Sequence, residues 1–225
     1  MADDRRKPGN RKAGAARRRP RPVGQHDHDA GKMVWKPGNL VIPAPAALVS
    51  CMGRDGKSNL ITVAWCGNVN SSPPMLSISV RPIRHSHAIL VESGEFVVNI
   101  PAVQQAQAVD YCGVVSGRDI DKFASTGLTP APAGKVACPL VAECPVNISC
   151  RIEQRHSLGS HDLFLAMVEE VAVDSRLMDA SGRFLVERAN FLCYAHGFYF
   201  SLGSRQGHFG WSVRKRGIGR KTERK

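Results

Sequence analysis

The sequence predicts a mainly β fold, an antiparallel barrel or sandwich with one or two short helices. Three observations carry this. Short β-branched and apolar runs recur at close spacing between Leu40 and Leu202. Turn signals separate them, Asp55-Gly56 and the Pro73-Pro74 pair among them. No G-x-G-x-x-G follows a strand, which argues against alternating βαβ units and a doubly wound parallel sheet.

Along the chain, Leu40–Met52 reads as extended. Pro43 and Pro45 forbid helix there and suit an edge strand. Asn59 to Trp65 is β-branched and apolar, as a buried strand should be. It runs straight into Cys66, Gly67, Asn68, Asn70, Ser71 and Ser72, a polar stretch that reads as a rim loop. Thr62 and these polar side chains would supply neutral donors and acceptors, and Trp65 a flat apolar surface. A ligand both planar and phosphorylated would want that mixture. Met75–Val80 alternates and is a strand. Ser86 or His87 could cap a short helix through Ser93. Glu95–Ile100 is a strand stopped by Pro101, and Val103–Val115 is the best helix candidate, with Asp119–Ser125 as a second. Ile148–Gln154 and Leu163–Val173 alternate as strands. Phe191–Ala195 and Phe198–Leu202 form a last pair around His196-Gly197.

The formal charge of +12 over 225 residues first suggests a nucleic-acid or membrane partner. Its placement changes that reading. Residues 1–32 carry ten Lys/Arg against four Asp/Glu, and residues 213–225 carry seven against one. Residues 33–212 therefore hold fourteen of each sign and are neutral. The first tail is basic, Pro/Gly-rich and poor in apolar residues, so it is expected to be disordered, and the second is a basic C-terminal tail. Solvated tails are the plainer reading, and they argue against a nucleic-acid partner for the folded part. No run of about 18 apolar residues occurs, so no membrane span is expected. The Arg run at the N-terminus has no apolar segment behind it, which argues against a secretory signal. Seven cysteines, an odd number without a C-x-x-C pair, suit free thiols in a reducing, cytoplasmic compartment.

The segment from Ser77 to His87 places Ser79, Arg81, Arg84 and Ser86 at the end of a strand and the start of a helix. Cations, hydroxyls and a helix N-terminus together make a phosphate site. His85 and His87 flank Ser86, and His26 and His28 lie in the first tail. No carboxylate is arranged around either pair, so no metal site is predicted. Glu169-Glu170 sits in an alternating strand and does not read as a catalytic dyad.

Three motifs in order, NLITVAW, then PPMLSISVR with Ser86 five residues beyond Arg81, then GEFVVNIP, resemble the flavin reductase-like FMN-binding split barrels. SGRDIDKF, RIEQRHSLGSHDLFLAMVEEV and FYFSLGSRQGHFGWS are similar to the flavoredoxin branch of that family. The resemblance covers roughly residues 35–212. It implies a homodimeric split β-barrel that binds FMN without covalent attachment. By the same resemblance, Asn59, Thr62, Ala64 and Trp65 line the flavin and its ribityl chain. Ser79, Val80, Arg81 and Ser86 hold the ribityl–phosphate end, and Lys122 approaches from a loop. Many such reductases carry Gly-Asp-His where this chain has Gly159-Ser160-His161. His161 is then the candidate for orienting the donor, with the carboxylate missing unless Asp162 substitutes. The leading expectation is an NAD(P)H-dependent flavin reductase. The alternatives are an electron carrier or ferric reductase that keeps its FMN and serves a redox protein partner, and a non-catalytic barrel docked by its tails on nucleic acid or membrane. Cys66, next to Trp65, could relay electrons, but neighbours on a strand point to opposite faces.

Overall fold

The computed structural model describes residues 26–27 and 31–213. Most of both basic tails, with His28, lies outside the described residues. The chain divides into two units, Met1–Leu40 and Val41–Lys225. In the first, His26–Asp27 pairs antiparallel with Lys32–Met33.

The second unit is built on strands β1 (Ala44–Pro45), β2 (Ala47–Met52), β3 (Ser58–Val63), β4 (Cys66–Ser71) and β5 (Pro74–Val80). Helix α1 (His85–Ser93) follows, then β6 (Glu95–Ile100), α2 (Ala106–Val114) and α3 (Lys122–Thr126). The long strands β7 (Val146–Ser157) and β8 (Asp162–Val173) and the short pair β9 (Leu192–Ala195) and β10 (Phe198–Ser201) follow, and a small antiparallel pair, Pro130–Ala131 with Leu140–Val141, lies between α3 and β7. Among the described residues three α-helices form, one more than the one or two of the expected fold class and each at a segment where the sequence suggested a helix.

Seven strands join in the order β3-β2-β6-β7-β8-β5-β4, every pair antiparallel. The two ends of this order, β3 and β4, are consecutive in the chain and joined by Ala64-Trp65 alone. Ser79 N donates to Trp65 O at 2.9 Å, so the chain leaving β3 is already bonded to β5 at the far side of the sheet. One segment thus serves both edges and curls the sheet into a barrel, which is how the fold removes an exposed edge. Register shifts at Ser149/Cys150 and Ile152/Gln154 bend the long β7–β8 ribbon.

Strands β2, β3 and β6 are buried on both faces. Val49, Ile61, Leu76, Ile78, Phe96, Val98 and Phe164 fill the barrel with Leu90 of α1. Leu48, Leu60, Val109, Cys112, Phe123 and Leu192 form a second core under α2 and α3. Strands covered twice read as unbroken apolar runs, which is why β2 and β3 show little alternation.

Two expectations change here. The proline-flanked stretch splits: Ala44–Pro45 does lie at the edge of the three-stranded sheet β10-β9-β1, but β2 sits between β3 and β6 as an interior strand. The polar stretch after Trp65 is not a rim loop. It is strand β4, whose Asn68, Asn70 and Ser71 are exposed. A strand at the sheet's end can keep polar side chains in water, so their composition imitated a loop.

Candidate functional site

Two connected recesses lie where β3 and β5 end. The outer is a cleft of about 520 Å³ and the inner a cavity of about 260 Å³, and Ile61 and Arg84 line both. Thr62, Ala64, Trp65, Ser79, Val80, Arg81 and His161 line the outer cleft. Asn59, Ser86 and Lys122 line the inner cavity. Asn59 and Thr62 therefore do not share one surface. They sit three residues apart on a strand, and alternation sends them to opposite faces.

The cleft wall follows from local chemistry. The Thr62 hydroxyl donates to the Val109 carbonyl and so docks α2 against β3. Gly113 permits that approach: a Cβ there would lie 3.3 Å from Thr62 Cβ. Trp65 stands where the chain crosses from β3 to β4, and its side chain stays 46% exposed. The His161 ring stacks on it at 6.0 Å between centroids, with planes 11° apart. His161 is held at the tip of the β7–β8 hairpin, where Leu158 N donates to His161 O at 2.9 Å. The Ser160 hydroxyl is 2.9 Å from His161 Nδ1. Across the cleft, Tyr199 donates its hydroxyl to Asp110 at 3.2 Å. Burial first, then Asp110, push the Tyr199 phenol up to about 12.

Asp162 does not stand in for the missing carboxylate beside His161. His87 Nε2 donates to Asp162 Oδ2 at 2.9 Å, and Arg155 Nε is 3.9 Å from the same oxygen. Both side chains of the His87–Asp162 pair are almost wholly covered. The His87 hydrogen bond holds the Asp162 carboxyl below the usual carboxylate range. The pair ties the hairpin to the first turn of α1 and leaves His161 alone on the cleft side.

The inner cavity is cationic. Asn59 Nδ2 donates to Ser86 Oγ at 2.7 Å. Ser86 lies inside the first turn of α1, whose N-cap is Arg84, so neither Ser86 nor His87 caps the helix. Lys122 is not on a loop. It is the first residue of α3, 4% exposed, with Nζ donating to the carbonyls of Leu60 at 2.7 Å and Cys112 at 2.8 Å. Asp121 fixes it there by capping α3 through Ala124 N. An ammonium has three donors, so one remains for the cavity. Burial lowers the Lys122 pKa below the ordinary lysine range. Among the described residues no carboxylate forms an ion pair with Lys122, Arg84 or Arg118. A buried cation without a counter-charge is costly, and an anion entering the cavity would relieve that cost.

Cys66 turns inward and packs on the barrel core, with its thiol pushed up to about 11 by burial. All seven cysteines are free. Sequence reasoning did not single out Asp110, Gly113, Tyr194 and Tyr199 from the cleft, or Gly117 and Arg118 from the cavity. The SGRDIDKF motif did contain the last two, and a glycine before a cation on the way into a capped helix was the available signal. Among the described residues no helix is long and apolar enough to cross a membrane.

Residues 39–203 match the family described as flavin reductase like domain. The chain is also similar to the solved flavoredoxin of Desulfovibrio vulgaris (Miyazaki F), 28% identical. That likeness covers 81% of this chain and 100% of that one, with a TM-score of 0.77. An uncharacterized protein of Archaeoglobus fulgidus is 31% identical over 115 residues, 51% of this chain and 65% of that protein. The FMN reductase (NADH) RutF of Methylorubrum extorquens is 27% identical over 129 residues, 57% of this chain and 60% of that protein. The chain thus spans just under two thirds of the length of these last two relatives.

Proposed function

The chain belongs to the flavin reductase like domain family, and from that premise we propose that it is an FMN-binding oxidoreductase transferring a hydride from NAD(P)H to flavin. The observation that carries the reading is the juxtaposition of a flat, half-exposed Trp65 cleft with a cationic inner cavity that lacks a counter-charge. These residues fit a planar ring with a phosphate tail. Trp65, Ala64 and Thr62 would lie against the ring, and Ser79 and Arg81 along the ribityl chain. Arg84, Ser86, Asn59 and Lys122 would take the phosphate. FMN, when bound, supplies one- and two-electron chemistry at its ring. The protein's own part is to bind, orient and exclude water. The Trp65–His161 stack covers one side of the cleft mouth, and His161 would orient the donor there. The similarity of this chain to a protein named FMN reductase (NADH) RutF supports a nicotinamide donor.

A second reading, an electron carrier that keeps its FMN, is favoured by one observation. Asp162 is committed to His87 and so does not stand beside His161 to recognise a donor. Anaerobic mixing of the FMN-loaded protein with NADH or NADPH separates the two. Rapid bleaching of the flavin band supports the reductase, whereas an unbleached band supports a carrier fed by another protein.

A homodimer completes the proposal. Val69 on β4 and Phe198 and Phe200 on β10 are each more than half exposed, which suits burial against a second copy. Light scattering should give twice the chain mass, and a monomer at micromolar concentration would count against it.

A further inference from the structure

Asp110 is a carboxylate in the Trp65 cleft that the placement of FMN leaves unused. It is exposed and lies on α2, next to Val109, whose carbonyl accepts the Thr62 hydroxyl. It also lies three residues before Gly113, which closes on Thr62. Residues three apart share a helix face, so the contacts that dock α2 on β3 also turn Asp110 towards the cleft. Tyr199 on β10 meets it there, hydroxyl to carboxylate at 3.2 Å. The Tyr199 ring is held in turn by its cross-strand neighbour Tyr194, edge to face at 5.9 Å between centroids and 66° between planes. Two elements whose paired residues are 89 positions apart thus hold one carboxylate beside the cleft wall.

The pair has a one-sided hydrogen-bonding character. Tyr199 has a single hydroxyl proton and gives it to Asp110. Burial and the neighbouring carboxylate keep that phenol protonated, with its pKa at about 12. A carboxylate only accepts, at about four lone-pair positions, and Tyr199 fills one. The pair therefore offers acceptors and no donor to a bound molecule. The cleft's charges are divided accordingly. Its arginines, Arg81 and Arg84, come from the turn between β5 and α1, where the ribityl–phosphate tail is placed. Asp110 comes from α2 and is the sole carboxylate among the described residues lining the cleft. With the ring against Thr62 and Trp65, Asp110 flanks the ring rather than the phosphate. A second molecule stacked on that ring must then bring an N–H to Asp110 and must not bring an anion.

Resting on the reductase reading above, we infer that Asp110, positioned by Tyr199, selects the electron donor by its amide. The carboxamide N–H of a nicotinamide donates to Asp110, and a donor with a carboxylate in that place is rejected.

The test uses the full chain saturated with FMN and follows anaerobic bleaching of the flavin. The donors are NADH or NADPH, whichever serves better, and its deamidated analogue, in which the nicotinamide is a nicotinate. The native chain should favour the amide by about a hundredfold or more in kcat/KM. Asp110→Asn keeps the size of the side chain and supplies an N–H that can meet the nicotinate, so it should lower that preference by about tenfold or more. Asp110→Glu keeps the charge and should still reject the analogue. Tyr199→Phe frees Asp110 without removing it. It should lower the preference by a smaller factor, through a higher KM for the amide donor at little changed kcat. A native chain that uses both donors equally overturns the inference. So does an unchanged preference in Asp110→Asn, and if FMN binding weakens there instead, the carboxylate serves the flavin ring. An FMN-loaded native chain that neither NADH nor NADPH bleaches overturns the reductase reading, and this one with it.

Discussion

Arg84 touches both recesses, whereas Arg81 lines only the outer one and is exposed. Arg84→Ala should therefore weaken FMN binding by about 1.5–3 kcal/mol, the size of a lost charge-assisted hydrogen bond in a partly covered site. Arg81→Ala should cost less, and isothermal titration of both variants checks the order. Equal losses would move the phosphate outward, towards the end of β5. Cys66 makes the opposite kind of claim. Its side chain packs on the core and its thiol is held protonated, so Cys66→Ala should leave electron transfer undiminished and lower stability by about 1 kcal/mol. A drop in transfer rate with unchanged FMN affinity would make it a relay. Alternation along β3 and β4 already argued for this at the level of sequence, since Trp65 and Cys66 had to diverge. What alternation could not supply was Lys122. Nothing local says that a lysine after Asp121 turns into a core, because one receiving carbonyl, that of Leu60, lies 62 residues away and the other, that of Cys112, lies across the turn between α2 and α3.

At the scale of elements, the β7–β8 hairpin is fixed to α1 by His87 and Asp162, flanked by Arg155 and by the edge of Phe164 against the His87 ring. The Asp162 carboxyl is depressed in the fold, so its contribution is present above the ordinary carboxylate pKa and is lost as pH falls through that range. Asp162→Asn should lower stability most in the neutral region and flatten the acid limb, so that variant and native protein converge at low pH. An unchanged acid limb, followed by denaturant midpoints from pH 7 to pH 3, would show that the pair stabilises nothing. Strand positions were largely legible. Glu95–Ile100 appears with the bounds its sequence suggests, because Pro101 ends it. The β4 strand was not legible, since its polar, Ser/Asn-rich composition is shared by turns and by exposed strands. Nor was the commitment of Asp162 to His87, a contact 75 residues apart that depends on how the hairpin lands on α1.

At the scale of the whole molecule, burial raises the thiols together. Cys51 and Cys138 are pushed to about 12, and Cys66 and Cys112 to about 11. Cys144 and Cys150 are raised as well. The unfolded chain ionises first, near 9, so this stability is intact below pH 9 and is lost as pH rises towards the folded values. The loss is about 1.4 kcal/mol per pH unit per buried thiol, opposed in part by Lys122, whose folded pKa is depressed. Denaturant midpoints under reducing conditions should therefore fall from pH 9 to pH 11, and a flat profile would contradict the buried, protonated thiols. The central claim is that the Trp65 cleft and the Lys122 cavity form one flavin site. The visible spectrum of the purified protein, followed by titration with FMN, tests it most directly. A yellow protein, or a colourless one that takes up one FMN per chain and binds it about tenfold to a hundredfold more weakly in Arg84→Ala, is the expected result. A colourless protein that takes up no added FMN would contradict the account.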